Sequence, residues 1–407
     1  MSGTLSHLVV LDLSRILAGP WAGQILGDLG ADVIKVERPG VGDDTRGWGP
    51  PFLRDAAGAE TDEAAYFLCA NRNKQSITID FTQPEGAALV RRLALQADVL
   101  IENFKVGGLA SYGLDYASLK AINPRLVYCS ITGFGQTGPY AARPGYDFLI
   151  QAMGGLMSVT GRKAGEPGAG PQKVGVALTD ILTGLYGTVG ILAALAHRDR
   201  TGEGQQVDMA LLDVQIASLA NQAMNYLVSG EPPKPLGNAH PSIVPYQDFP
   251  TADGHMVIAV GNDAQFTRLC AEAGLAGLAR DVRFASNKER VANREALTAL
   301  LNAATATRTT AQWVAALEAV GVPCGPINRL DAVFDDPQVR SREMRIDVPH
   351  AVAGALPLVA NPIRLSAAPV TYRRAPPALG EHTRAVLKER LSMTDEAIDA
   401  LAQGRVV

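Results

Sequence analysis

A 16-residue run without charged side chains constrains this fold more than any other feature of the chain. The run extends from residue 181 to residue 196 (ILTGLYGTVGILAALA) and directly follows Thr179 and Asp180. It is too long for a typical strand and shorter than the ~20 residues that span a bilayer. The run therefore predicts a helix that is buried on most of its sides.

Glycine recurs at every third position of this run, at Gly184, Gly187 and Gly190. Glycine costs a helix interior about 0.5–1 kcal/mol relative to alanine, so the stripe predicts that another backbone packs closely against it. Asp180 stands at the N-terminal end, where free amides and the helix dipole favour an ionised carboxylate. It serves either as an N-cap or as a nearly dry carboxylate presented to a substrate. The Gly/Pro-rich segment 165–171 before it is typical of a loop that opens and closes over a site.

Composition narrows the class of protein. With 407 residues the chain is long enough for two domains, and its net charge of −4 argues against a general nucleic-acid binder. The four cysteines are widely spaced, which indicates reduced thiols rather than disulfides or a zinc site. We expect a cytoplasmic protein without a secretory signal or a membrane span. The six histidines show no metal-ligand spacing, so we expect no metal site.

The order of predicted elements indicates an α/β protein. A buried strand at residues 8–13, a helix at 18–29 and a strand at 32–36 form one βαβ unit. Further strands are predicted at 76–80, 99–102 and 126–132, with a helix at 84–96 among them. After the buried helix, a second long helix is predicted over residues 207–227. Prolines at 232–235 then mark a linker to an α+β segment, and a C-terminal helix is predicted at 380–401.

One glycine-rich motif resembles a dinucleotide fingerprint but lacks its context. Residues 133–138 read GFGQTG and follow a predicted strand. The fingerprint also needs a helix that begins immediately, whereas Pro139 and Pro144 interrupt the next segment. The motif therefore predicts a glycine-rich loop.

Several basic residues follow or flank predicted strands. Ligands of doubly wound folds bind beyond the carboxyl ends of strands, and arginine can hold phosphate with two hydrogen bonds. The alternative to phosphate binding is that each basic residue is simply a solvated surface charge. Together with the polar Asn103 and the aromatic Phe104, these basic residues suit an adenine nucleotide with several phosphates. The basic residues are Arg15, Lys35, Arg38, Arg46, Arg72, Lys74 and Lys105.

Four ordered segments resemble those of the class III CoA-transferases, the group of formyl-CoA and carnitine CoA-transferases. They are LDLSRILAGP (11–20), GADVIKVERPG (30–40), VLIENF (99–104) and TGEGQQVD (201–208). The resemblance implies an interlocked homodimer whose subunits are threaded through each other. It implies a Rossmann-like large domain built from residues 1–225 and 329–407, and a smaller α+β domain at residues 226–328.

The resemblance also implies a mechanism and a set of site residues. Asp180 matches the aspartate nucleophile that forms an anhydride and then a thioester with CoA, which acts as a substrate rather than a prosthetic group. Tyr146 and Asp147 match an active-site pair, and the mobile glycine loop falls on Gly261 and Asn262. The CoA contacts fall on Leu17, Ala18, Arg38, Asn103 and Phe104, with Lys105 and Arg143 in place of basic residues found in the formyl branch.

Two alternative functions remain open on the sequence alone. α-Methylacyl-CoA racemases share the implied fold but use a histidine where this chain has Tyr146, and a non-catalytic CoA-binding protein is the other alternative. Segments 42–51, 176–180 and 238–247 resemble the dicarboxylate branch, which uses succinyl-CoA with glutarate, mesaconate or itaconate. The distal carboxylate would need donors, and Arg46, His240 and Ser242 are the candidates. His240 could instead be a loop residue bonded to the backbone.

Overall fold

The computed structural model describes residues 3–407, and the chain divides into two compact units. The first unit contains residues 3–156, 174–224 and 338–407, and the second contains residues 157–173 and 225–337. The first unit is therefore assembled from both ends of the chain. The domain boundaries predicted from sequence lie after residues 225 and 328, and residues 157–173 fall within the first domain of that prediction.

Thirteen strands are assigned within residues 3–407, and six of them form a fully parallel sheet in the order β5-β2-β1-β6-β7-β8. Three others form an antiparallel sheet, and the remaining four form two hairpins. Their bounds are β1 Val9–Asp12, β2 Asp32–Glu37, β3 Phe52–Arg54, β4 Glu60–Ala64, β5 Lys74–Thr78, β6 Val99–Glu102, β7 Val127–Thr132, β8 Gln206–Ala210, β9 Tyr246–Thr251, β10 Gly254–Ala259, β11 Cys324–Pro326, β12 Arg345–His350 and β13 Gly354–Val359.

Seventeen α-helices are assigned within residues 3–407, with short 3-10 turns at Asp44–Gly47, Ala110–Tyr112 and Ala276–Arg280. The helices are α1 Ala18–Asp28, α2 Ala65–Leu68, α3 Pro84–Ala94, α4 Tyr116–Ile122, α5 Asp147–Met153, α6 Leu156–Val159, α7 Leu178–Thr201, α8 Leu211–Ser218, α9 Asn221–Ser229, α10 Asp263–Glu272, α11 Asn287–Ala292, α12 Arg294–Thr305, α13 Thr310–Ala319, α14 Leu330–Asp335, α15 Pro337–Ser341, α16 Thr383–Leu391 and α17 Asp395–Gln403.

The central strands form where the sequence predicts them because they are short apolar runs covered on both faces. Strands β1, β6 and β7 are almost entirely buried, which is typical of a parallel sheet between two helical layers. The chain leaves β1 towards β2 on one side and returns to β6 on the other. This reversal creates a crevice beyond the carboxyl ends of β1 and β6, which is the usual ligand position in open parallel sheets.

The long helix predicted over residues 207–227 is wrong. Residues 206–210 form β8, which pairs with β7 at the edge of the sheet, and only then do α8 and α9 begin. Strand pairing with a segment some 80 residues away in sequence overrides local helix propensity, as tertiary contacts often do. The single C-terminal helix is also wrong, since Ser392 adopts φ +53° and Thr394 caps a second helix, α17.

Helix α7 contains the uncharged run and is longer than predicted, at 24 residues. By length and composition it could cross a membrane, but its inner face packs against α1, β7 and β8. We interpret it as a core helix of the first unit. Its outer face is open in the single chain, where Leu185, Tyr186 and Val189 are 43%, 48% and 63% exposed. The expectation of burial on most sides is therefore wrong for the isolated chain.

The predicted glycine stripe matches a close approach of backbones at Gly184. A Cβ atom there would lie 2.7 Å from the carbonyl oxygen of Ala18, the first residue of α1. Since real Cβ atoms essentially never come that close to another heavy atom, α1 can pack at this distance only on a glycine. Gly184 lies one helical turn after Asp180, so this contact brings the start of α1 next to that aspartate.

The second unit has its own core. The antiparallel sheet of β9, β10 and β11 packs with α10, α12 and α13 around fully buried aromatic side chains. Phe249, Phe266, Phe284 and Trp313 are each at most 1% exposed. This arrangement agrees with the α+β segment predicted after the proline-rich linker.

We expect Gly184→Ala to lower the free energy of unfolding by about 1–3 kcal/mol, because the added methyl group must push α1 away from α7. The matched control is Gly187→Ala in the same helix. A Cβ at Gly187 would meet Cys129 Sγ at an ordinary 3.8 Å, so this variant should be neutral or slightly more stable. Chemical denaturation followed by circular dichroism measures both. Equal effects of the two substitutions would contradict the packing described here.

Candidate active site

A cavity of about 250 Å³ opens at the carboxyl ends of the central strands. Its walls come from the start of α1, the segments after β6 and β7, and the first turn of α7. This space, the Asp180 cavity, brings together many of the residues selected from sequence. It is lined by Leu17, Ala18, Asn103, Phe104, Lys105, Arg143, Tyr146 and Asp180, among others.

A second cavity of about 460 Å³ shares Arg15, Phe104 and Lys105 with the first. We call it the Arg38 cavity, since the exposed Arg38 side chain lines it. Phe81 forms edge contacts with Phe104 and Tyr112, with ring centroids 5.5 and 5.7 Å apart. Aromatic walls and basic groups suit a large ligand with a flat ring and negative charges.

Asp180 does not cap its helix. It is the third residue of α7, and the N-cap position belongs to Ala177. The cap comes instead from the neighbouring helix α5. The carboxylate of its first residue, Asp147, accepts hydrogen bonds from the N–H groups of Thr179 (2.9 Å) and Asp180 (3.3 Å). The Asp180 carboxylate is therefore free of the capping role and lines the cavity.

The electrostatic environment of Asp180 differs from the sequence expectation. Burial, followed by the nearby negative charge of Asp147, raises the pKa of Asp180 to about 7. The expectation that the helix end keeps this carboxylate ionised is wrong, because desolvation and a like charge outweigh the dipole. Near neutral pH the group exists in both forms, and its ionised form is a more reactive nucleophile than an ordinary surface carboxylate.

The Asp147 side chain is itself held in place by a hydrogen bond from Gln151. The side-chain amide of Gln151 donates to its Oδ2 at 2.7 Å, and Gln151 Oε1 in turn accepts the N–H of Val174. Before it, the 133–145 loop is closed by two glycines, because a Cβ at Gly133 would lie 2.5 Å from the Cα of Gly145. As predicted, the GFGQTG motif forms a loop, and no helix begins immediately after it; α5 starts only at Asp147.

Arg143 and Tyr146 stand on the outer wall of the Asp180 cavity. Tyr146 is 62% exposed, and the Arg143 guanidinium lies over the ring of Tyr140 with 4.5 Å to the ring centre. Asn103 also lines the cavity and is fixed by two hydrogen bonds with the backbone of Arg15, at 2.9 and 2.7 Å. Arg143 and Lys105 are the other lining residues selected from sequence that carry a positive charge.

Four of the basic residues selected from sequence are buried in ion pairs, which neither the solvation nor the phosphate hypothesis foresaw. Their partners are carboxylates of the first unit, at distances of 2.6 to 2.9 Å. The pairs are Lys35–Asp43, Arg46–Glu37, Arg72–Asp28 and Lys74–Asp12.

Arg46 is consequently a structural residue rather than a ligand for a substrate carboxylate. Its guanidinium donates to both Glu37 oxygens, to Glu63 and to a backbone carbonyl, and it lies over the ring of Phe67. At 6% exposed, it offers little free surface to a ligand. The prediction of Arg46 as a substrate contact is corrected on this ground.

The other substrate candidates lie in the second unit. His240 Nδ1 accepts the N–H of Ser242 at 3.0 Å, so the imidazole stabilises a local turn, as the alternative interpretation predicts. Burial and the charge of Arg294 lower its pKa. Asn262 caps α10, since its Oδ1 accepts the backbone N–H of Gln265, and the N–H of Gly261 donates to the Gln265 side-chain oxygen. Their role towards a substrate stays a prediction.

Sequence reasoning missed Tyr66, on the short helix α2. Burial, followed by the negative charge of Asp180 and then of Cys69, Asp147 and Asp43, raises the pKa of its phenol to about 12. The hydroxyl therefore remains a hydrogen-bond donor. Trp48 packs edge-on against it at 5.4 Å. Trp48 lies in a segment quoted for its resemblance to the dicarboxylate branch, and that segment was the only sequence signal.

The chain matches one protein family over most of its length. The family profile described as CoA-transferase family III matches residues 5–383. The chain is 54% identical to a succinate–glutarate CoA-transferase from Agrobacterium fabrum, covering 95% of both chains. It is 44% identical to a succinyl-CoA:glutarate CoA-transferase from Mus musculus, covering 99% of this chain and 90% of that protein. A crystal structure of a CAIB/BAIF family protein from Brucella suis superposes with a TM-score of 0.84 at 55% identity, covering 96% of this chain and 100% of that one.

We expect Asp180→Asn to become more stable than the unsubstituted protein as the pH rises from about 4 to about 7. An acid whose folded pKa is raised from 3.8 to about 7 contributes stability only while protonated, and that stability is lost through this window. The free energy of unfolding, measured at several pH values, gives the difference. Asp213→Asn, which removes an exposed carboxylate, is the control. A pH-independent difference would contradict the raised pKa.

Proposed function

This chain belongs to CoA-transferase family III, and from that premise we propose that it moves CoA from succinyl-CoA to glutarate or a similar C4–C6 dicarboxylate. The names and high identity of the Agrobacterium fabrum and Mus musculus relatives support this substrate class. The single structural observation that carries the proposal is Asp180, a carboxylate with a raised pKa in a cavity at the sheet's ligand-binding edge.

The proposed reaction begins with the ionised Asp180. Its oxygen attacks the thioester carbonyl of the donor, the C–S bond breaks, and a mixed anhydride and CoA thiolate result. The thiolate then attacks the aspartyl carbonyl, which releases the donor acid and leaves an aspartyl-CoA thioester. The acceptor carboxylate attacks this thioester, which breaks the C–S bond, releases CoA thiolate and gives a new anhydride. The thiolate then attacks the acceptor's acyl carbon, which forms the acceptor CoA thioester and releases the Asp180 carboxylate. Covalent catalysis in this way divides one difficult exchange into easier steps.

Each of these steps passes through a tetrahedral oxyanion that needs hydrogen-bond donors. Helix geometry leaves the N–H groups of Ala18 and Gly19 without partners inside α1. Leu17 and Ala18 line the same cavity as Asp180, and Gly184 packs α1 against α7 one turn away. We assign the oxyanion contact to this helix start.

We assign the CoA moiety to the Arg38 cavity and its shared wall with the Asp180 cavity. Phe81, Phe104 and Tyr112 offer ring faces and edges to an adenine, and Arg38 and Lys105 offer positive charge to phosphates. Arg143, on the opposite wall, remains available for a further negative group. CoA acts here as a substrate, and the chemistry proposed requires no prosthetic group.

We further propose a cytoplasmic, interlocked homodimer. The open apolar face of α7, with Leu185, Tyr186 and Val189, supports a partner surface, because exposed patches of this kind mark interaction sites. A second copy would also restrict solvent around the first turns of α7. Sedimentation analysis of the full chain would test the dimer, and a monomer would contradict it.

We expect a covalent adduct at Asp180 when the protein is mixed with succinyl-CoA. Mass spectrometry of the intact protein should show a mass increase for succinyl or CoA, and hydroxylamine should convert it to a hydroxamate at Asp180. Asp180→Ala should give no adduct and should lose transfer by several orders of magnitude, as removal of a nucleophile does. Glutarate, itaconate, mesaconate and malate would then be compared as acceptors.

Other outcomes of that experiment point elsewhere. Full turnover by Asp180→Ala would overturn the mechanism. Absence of an adduct with any acyl-CoA, combined with deuterium exchange at the α-carbon of a branched acyl-CoA, would instead indicate a racemase. Binding of CoA without either reaction would indicate a non-catalytic role.

The pH dependence of kcat/KM should show a rising limb with its midpoint near pH 7, since the free enzyme reacts through the ionised Asp180. Asp147→Asn removes the neighbouring negative charge and should shift this midpoint to lower pH. The asparagine oxygen can still accept the N–H of Thr179, so the helix cap is retained. An unchanged or higher midpoint would contradict the electrostatic coupling of the two carboxylates.

A further inference from the structure

The loop between β1 and α1 contains an unusual backbone conformation. Ile16 has a φ of +73°, in the left-handed region that β-branched residues rarely adopt. Residues 14–17, which we call the 14–17 loop, contain no glycine or proline to explain it. Ile16 lines the Asp180 cavity and directly precedes Leu17 and Ala18. Strained residues of this kind persist only where their surroundings enforce them.

The side chain of Asp43 makes the enforcing contact. Both of its oxygens accept the N–H of Ile16, at 3.1 and 3.2 Å. The carboxylate is fully buried and paired at 2.9 Å with Lys35, which is also fully buried. Lys35 Nζ donates in addition to the carbonyl oxygen of Ser14 at 2.9 Å. One ion pair therefore holds the loop at two points on either side of Arg15.

The rest of the loop is fixed in the same manner by side chains from neighbouring strands. Asp12 accepts the N–H of Ser14 at 3.0 Å, and Asn103 bonds both backbone groups of Arg15. Gly19, at the start of α1, packs directly on the Ser14 side chain, since a Cβ there would overlap it. The loop and the first turn of α1 thus form one rigid piece beside Asp180.

We propose that Asp43 is a positioning residue for the transfer reaction: paired with Lys35, it holds Ile16 in the left-handed conformation that places Leu17 and Ala18 in the Asp180 cavity. This inference rests on the proposed function. It assigns to the buried ion pair a role in the geometry of the reacting groups, beyond a contribution to stability.

The charge state of the pair suits this role. Burial opposes ionisation of Asp43, yet Lys35 and the hydrogen bonds from Thr45 hold its pKa at about 2. Burial likewise opposes the charge of Lys35, while Asp43, Asp12 and Glu37 hold its pKa above the ordinary value. Asp43 also caps the 3-10 turn at Asp44–Gly47 through Thr45, so a purely structural role is the explanation to be tested against.

A double-mutant cycle separates the two roles, because glycine adopts a positive φ without enforcement. Both Asp43 oxygens face only N–H and O–H donors, so the amide NH2 of Asp43→Asn would oppose a donor and loosen the hold on Ile16. This variant should therefore lower kcat by at least about tenfold, as small misplacements of reacting groups do. Ile16→Gly should lower kcat less than Asp43→Asn does. In the Ile16→Gly background, Asp43→Asn should cost less than about threefold in kcat, since the conformation no longer depends on the carboxylate. The rates are expressed per active site, counted by the covalent adduct at Asp180.

The control is Asp28→Asn. Asp28 is also a buried carboxylate in an ion pair, here with Arg72, but it lies at the end of α1 that is remote from the site. It should lower the melting temperature while leaving kcat per active site near the unsubstituted value. If Asp43→Asn alone does not fold, Lys35→Gln with Asp43→Asn takes its place in the cycle, since it leaves no unpaired charge in the pair.

Each outcome decides between the two roles. A tenfold or greater loss that disappears in the Ile16→Gly background supports the positioning role. Equal losses in both backgrounds, or a loss of stability with normal kcat per active site, overturn it. Absence of transfer in the unsubstituted protein with every acyl-CoA and dicarboxylate would overturn the proposed function itself, which is a distinct result.

Discussion

Two buried ion pairs beneath the carboxyl ends of the central strands hold together the part of the molecule on which the site depends. Lys74 pairs with Asp12 and Lys35 pairs with Asp43, and all four side chains are fully buried. Removing one partner of such a pair costs about 3–5 kcal/mol, because an unpaired charge remains in a medium of low polarity. The pairs also bond the backbone of the first βα loop, so charge burial and loop geometry are linked in this protein.

The same contacts that order the site disfavour the ionised form of its central carboxylate, Asp180. Helix α1 approaches α7 closely at Gly184, and Asp147 caps α7 within hydrogen-bond distance of the Asp180 backbone. Asp180 is thereby placed in a confined space beside a like charge, which raises its pKa to about 7. In the reaction proposed above, the covalent bond to the thioester carbon would remove the charge of this destabilised carboxylate. The ionised Asp180 therefore lowers the stability of the folded protein locally while it increases the reactivity of the carboxylate.

Much of the fold could be predicted from local patterns. Short apolar runs predicted β1, β2, β6 and β7 to within one residue at each end, because strands of a buried parallel sheet are largely hydrophobic. The edge strand β8 could not be predicted in this way, since its polar residues become a strand only by pairing with β7. For the site, Asp180, Asn103, Phe104 and Arg143 were found from sequence and do meet around one cavity. Tyr66 was missed, because nothing local distinguishes it.

Residues close together in the chain were sufficient to predict the first βαβ unit, the glycine that lets α1 and α7 approach, and the position of Asp180 on the first turn of α7. Three further properties emerged only from the folded chain: the pKa of Asp180 is raised to about 7, Arg46 is a structural ion-pair residue, and Asp43 contacts the strained Ile16. The physical reason is that pKa values and ion pairs depend on desolvation and on partners from distant segments, and a linear sequence does not display either of them.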